Sequence, residues 1–98
     1  MVNFMEVIDM SQYSNDKYVT IHSINTEQFP YTAKLSVKEY TTDVLLLPYA
    51  ISYLKNNTNI VVTSSCLQRI ENSEYLTVLG ARDLKEGDVE LDVSKVAV

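Results

Sequence analysis

His22 is the only histidine of the chain, and histidine is the side chain that most readily exchanges protons near neutral pH. It lies inside residues 17–24, KYVTIHSI, a run rich in β-branched and aromatic residues. Catalysis or metal binding there needs a second group at a recognisable spacing, and none is present. His22 therefore reads as a strand-face histidine with local hydrogen bonds. Cys66, also single, follows Ser64 and Ser65. A nucleophilic thiol needs a base and electropositive surroundings to lower its pKa. Neither is evident beside Cys66, so it reads as structural. Gly80 and Gly87 are the only glycines, and no lysine and hydroxyl follow Gly87. That excludes a P-loop, a dinucleotide fingerprint and a nucleophile elbow. Paired carboxylates support glycosidase-type chemistry, but the acids here fall on faces read as exposed. The expectation is a protein that is not an enzyme, with no catalytic residue, no metal site and no cofactor.

Charge is more informative than motif. Eight Lys and Arg stand against 13 Asp and Glu, a formal net charge of −5. Such a surface repels phosphate, so no direct nucleic-acid or anionic-membrane contact is expected. Between Asp83 and Asp92, five carboxylates (Asp83, Glu86, Asp88, Glu90, Asp92) face Lys85 alone. Residues 88–93, DVELDV, alternate strictly. As a strand they set Asp88, Glu90 and Asp92 about 6.7 Å apart along one face. A row of like charges resembles a nucleic-acid backbone, with about 3.4 Å of rise per phosphate. A basic nucleic-acid-binding surface would accept it. The competing reading is a solvated face whose acids guard a sheet edge.

Seven of the nine aromatic residues are tyrosines, a type that joins apolar area to a polar tip and favours interfaces. Tyr49 and Tyr53, four apart, share a face of the predicted helix. They pack as a flank against the sheet or meet a partner. The candidate partner-binding residues are thus Asp83, Glu86, Asp88, Glu90, Asp92, Tyr49 and Tyr53.

These residues must be positioned by a chain of 98 residues, 46% of them apolar, the size of one domain spanning 1–98. One cysteine excludes an intrachain disulfide. The first ten residues contain Glu6 and Asp9 and lack the basic and apolar regions of a signal peptide. The longest apolar run, near residues 44–51, is far short of a membrane span. A cytoplasmic setting is expected.

Alternation makes residues 31–38 the clearest strand, with Tyr31, Ala33, Leu35 and Val37 on one face. Residues 17–24 read as its hairpin neighbour across the loop 25–30. Residues 2–8 read as a strand apolar on both faces. From residue 43, Val44, Leu47, Ile51 and Leu54 fall at helical spacing, predicting one helix near 43–56 with Pro48 as its difficulty. Strands are predicted over 59–65 (running on towards 70), 75–79 and 88–93, with 80–87 a loop. The class is α+β: about six strands in a mainly antiparallel sheet, and one helix.

The resulting expectation is a small acidic binding protein, an inhibitor that blocks the basic, nucleic-acid-binding surface of a partner by charge mimicry. This resembles in style the short acidic inhibitors of phages and the immunity proteins, by composition only. The alternative is a structural or assembly subunit, viral in style, forming a homodimer or larger homo-oligomer through exposed strands. Val2, Phe4 and Val96 are its candidate contacts.

Overall fold

In the computed structural model, residues 2–49 and 54–96 are described. The alternation of residues 31–38 is realised as β2 (Tyr31–Val37), with Ala33, Leu35 and Val37 buried. β1 (Lys17–Asn25) lies antiparallel beside it, setting Thr20 opposite Ser36 and His22 opposite Lys34. β4 (Thr58–Ile70) and β5 (Ser73–Asp83) form a long antiparallel hairpin across the tight turn at Glu71 and Asn72. β4 does run on to Ile70, while β5 runs further than expected, so that residues 80–83 are strand rather than loop.

The helix lies elsewhere than expected. Residues 2–8 are not a strand: α1 (Phe4–Ser11) begins there, capped by Asn3, whose side chain accepts the Glu6 N–H at 2.8 Å. That bond satisfies one of the donors a helix start leaves open. Phe4, Ile8 and Ser11 recur at helical spacing and are buried. Met5 and Val7 pack partly against the same core, which is why both faces of this segment looked apolar.

The expected helix near 43–56 is replaced at its start by β3 (Tyr40–Leu46). Val44 and Leu46 also alternate, and pairing with Ala33 and Tyr31 of β2 buries both. Pro48, lacking an amide donor, follows the end of this strand and sits with Tyr49 in a short 3₁₀ turn. The part of the helix expectation over residues 50–53 lies outside the described residues. Residues 56–57 form a turn into β4.

The sheet order is β2-β3-β5-β4-β1-β6, where β6 is Val89–Glu90, and β1 pairs additionally with β2. That last pairing closes five strands into a small barrel. The sheet is mixed, because β3 runs parallel to β5, and β6 parallel to β1. Among the described residues the architecture is therefore α+β with one helix and six strands, in a sheet that is mainly antiparallel, as expected, but mixed rather than purely so. Ile21, Leu35, Ile60, Leu76, Val44 and Val78 fill the barrel at no more than 1% exposure. α1 contributes Ile8 to this cluster, while Leu91, Val93 and Val96 bring the C-terminal stretch onto it. Val2 bridges Val96, so Phe4 and Val96 serve the interior rather than a free surface.

Candidate functional site

The strand expected over 88–93 pairs only through Val89 and Glu90, opposite Lys17 and Tyr18 of β1. Val89 remains 48% exposed, so the alternation holds only from Glu90 onward, where Leu91 and Val93 are buried. What shapes the acidic stretch is Arg82, near the end of β5. Its Nη1 donates to Asp88 Oδ2 and its Nη2 to Asp88 Oδ1, both at 2.9 Å. This bidentate fork is the strong form of a charge-assisted contact. Nη2 also donates to the Asn15 carbonyl at 2.6 Å, and Nη1 to that of Asp83 at 3.0 Å. The Lys85 amide donates to Asp88 Oδ2 at 2.7 Å.

The Asp88 side chain is thereby only 1% exposed. The Arg82 hydrogen bonds, with the Lys85 amide second, hold its carboxyl at about 2. The same contact raises the Arg82 pKa. Arg82 thus ties the turn after β5 to the loop before β1. It also takes Asp88 out of the acidic row. Asp92 is exposed, and the Ser94 amide, donating at 2.9 Å, lowers its pKa. Asp83, Glu86 and Glu90 are exposed, and among the described residues their carboxylates meet no hydrogen-bond donor or cation. The acidic stretch is a set of separate carboxylates at one end of the barrel, with a neutralised pair at its root.

A second feature lies on the outer side of β3. Leu45, Leu47 and Pro48 form the floor of a groove of about 310 Å³. Phe29 and Pro30, from the β1–β2 connection, make one wall; Gln68 and Ile70 of β4, with Thr77 of β5, make the other. Phe29 is 78% exposed and Ile70 49% exposed. Phe29 meets Tyr31 edge-on at 5.9 Å between centroids, an arrangement favoured by the ring quadrupoles. Among the described residues only two lining side chains are polar, and they bond to each other, with Thr77 Oγ1 donating to Gln68 Oε1 at 2.7 Å, and none is charged.

Glu27, in the connection that carries Phe29, and Glu71, in the turn beside Ile70, are exposed acids. Of the cations near it, Lys34 is paired with Asp43 at 2.9 Å, while Arg69, between the lining residues Gln68 and Ile70, is exposed. Tyr49 follows the groove floor and is 65% exposed; Tyr53 lies outside the described residues. Of the sequence candidates, only Tyr49 is beside the groove. Phe29, Leu45, Leu47 and Ile70 were missed. The one available signal was Phe29 itself, an aromatic residue placed next to proline in a polar connection.

His22 joins a chain of hydroxyls on the outer face. Its Nε2 lies 2.7 Å from Ser36 Oγ, which is 3.0 Å from Thr41 Oγ1, and its Nδ1 lies 3.0 Å from Ser23 Oγ. Among the described residues no cluster of His, Cys, Asp and Glu has the makings of a metal site. No described helix is long and apolar enough to cross a membrane. No family model, curated protein or solved structure matches this chain.

Proposed function

We propose that the protein is a non-enzymatic binding module that holds an apolar segment of a basic partner protein in the groove beside β3. The carrying observation is the groove's composition: an apolar floor and walls from three parts of the chain, with no cation to receive phosphate. The finer reading of the fold supports this. A closed order β1-β2-β3-β5-β4 is that of a five-stranded Greek-key barrel of the OB type. Such barrels hold ligands on the face of their second and third strands and the loops beside it. Many take nucleic acid, which requires cations along the backbone track. Here the exposed charged residues next to the groove lining are Glu27, Glu71 and Arg69, two acids against one cation, so lysine or arginine beside an apolar anchor fits better than phosphate.

The exposed Asp83, Glu86, Glu90 and Asp92 extend the same preference over the surface, steering a basic protein towards the barrel. If that protein's basic face binds nucleic acid, occupation blocks it, which is the inhibitor form of the proposal. Spacing of the acids has no part in it, because Asp88 is engaged by Arg82.

Fluorescein-labelled peptides test the reading by anisotropy. One has a Leu-Trp-Leu centre flanked by lysines, a second the same centre flanked by glutamates, and a third probe is oligothymidylate. The lysine-flanked peptide is expected to bind best, and Phe29→Ser or Ile70→Ser to weaken it by roughly tenfold, or about 1.4 kcal/mol. Preference for oligothymidylate, or indifference to the flanking charge, overturns the proposal.

A further inference from the structure

β4 is longer than its intramolecular partners require. β1 pairs with its residues 58–61 only. α1 reaches its middle, where Ser65 Oγ donates to Asp9 Oδ1 at 2.6 Å and the Ser65 amide to Gln12 Oε1 at 3.1 Å. Over residues 66–70 one edge is paired with β5, and no strand among the described residues takes the other. Free edges are commonly protected by charged side chains, proline, a bulge or a covering segment. Residues 66–70, CLQRI, contain no proline and a single charge, Arg69, and the register irregularity of β4 comes earlier, between Val62 and Ser65. Leu67 is 36% and Ile70 49% exposed.

We propose that residues 66–70 of β4 pair antiparallel with the same segment of a second copy, about a two-fold axis at Gln68. The sequence is self-complementary in that register. Cys66 faces Ile70 of the second copy, Leu67 faces the aliphatic stem of Arg69, and the two Gln68 amides face each other. No like charges meet, and each Arg69 keeps Glu74 opposite it in its own hairpin. Centring on Arg69 instead sets guanidinium against guanidinium, which is destabilising. Centring on Leu67 brings in Ser65, where α1 already lies. Of these three registers, the one centred on Gln68 is left open to a second copy. Five residues make a small contact, so the dimer is expected to depend on protein concentration. Gln68 and Ile70 also belong to the groove wall, but the pairing is made by the backbone edge of β4 and does not rest on what enters the groove.

Sedimentation velocity across a concentration series tests the association, and cysteine cross-linking tests the register. The unmodified chain is expected to shift from monomer to dimer, with Leu67→Lys raising the dissociation constant at least roughly tenfold. In a Cys66→Ser background, Gln68→Cys is expected to form a reducible dimer under mild oxidation and Arg69→Cys to form little. The native Cys66, facing Ile70, is expected to stay reduced. Circular dichroism establishes that each variant is folded. A chain that stays monomeric throughout the series, or cross-linking at Arg69→Cys equal to that at Gln68→Cys, overturns the proposal.

Discussion

Arg82 and Asp88 show how one contact changes the meaning of a charge run. In the sequence, Asp88 is one of five equivalent acids. In the fold it is a buried hydrogen-bond acceptor for two guanidinium nitrogens and an amide. Its carboxyl is held at about 2, below the ordinary 3.8, chiefly by Arg82. A lowered carboxyl pKa stabilises the folded state above the unfolded value and loses that contribution as pH falls through the folded one. The window is therefore about pH 4 down to about pH 2. Asp88→Asn is expected to lower the thermal midpoint at neutral pH, and the gap from the unmodified chain to close across that window. Thermal unfolding followed by circular dichroism at stepped pH measures it; a gap constant with pH counts against the clamp. This pairing was not legible beforehand. In the sequence Arg82 falls in a segment of loop composition, where nothing directs a side chain towards a residue six positions on.

At the scale of elements, alternation located the strand over residues 31–37 but overstated the one over 88–93, of which only Val89 and Glu90 pair. Residues 31–37 have one dry face, and a one-residue shift in pairing would expose it. The start of the helical stripe at Val44 was a coincidence, because Val44 and Leu46 satisfy a strand equally well. The turn before them gave little warning: Lys38, at φ 54, and Glu39 join β2 to β3 without glycine, asparagine or proline. Gly80 carried a better signal than the loop assigned to it. An isolated glycine in a strand pattern often marks a bulge or close approach. Gly80 pairs with Ser64 where the β4 register shifts, and a Cβ there lies 3.0 Å from Thr63 Oγ1. Gly80→Val is accordingly expected to cost about 1–3 kcal/mol through crowding. Urea unfolding reads that loss, and an unchanged midpoint would show that the bulge has room.

Closure of the whole barrel depends on pairs that local patterning does not contain. Val19 meets Ile60, and Val44 meets Leu76; both pairings depend on strand order rather than on either segment alone. The groove inherits this difficulty, since Phe29, Leu45 and Ile70 converge only after closure. Net charge, by contrast, is a property of the whole chain and was legible from composition. Its consequence belongs to association. At a net charge of −5, attraction to a lysine-flanked peptide acts over about 10 Å at 0.1 M salt and fades above it. Contacts inside the uncharged groove do not weaken in that way. Raising salt is therefore expected to slow association of the peptide while leaving its dissociation rate nearly constant. Neutralising Asp83, Glu86, Glu90 and Asp92 together is expected to flatten the salt dependence of the on-rate and spare the off-rate. Stopped-flow anisotropy separates the two rates. If the fourfold variant instead accelerates dissociation, those carboxylates touch the bound peptide, and the binding surface reaches from the groove to the acidic end of the barrel.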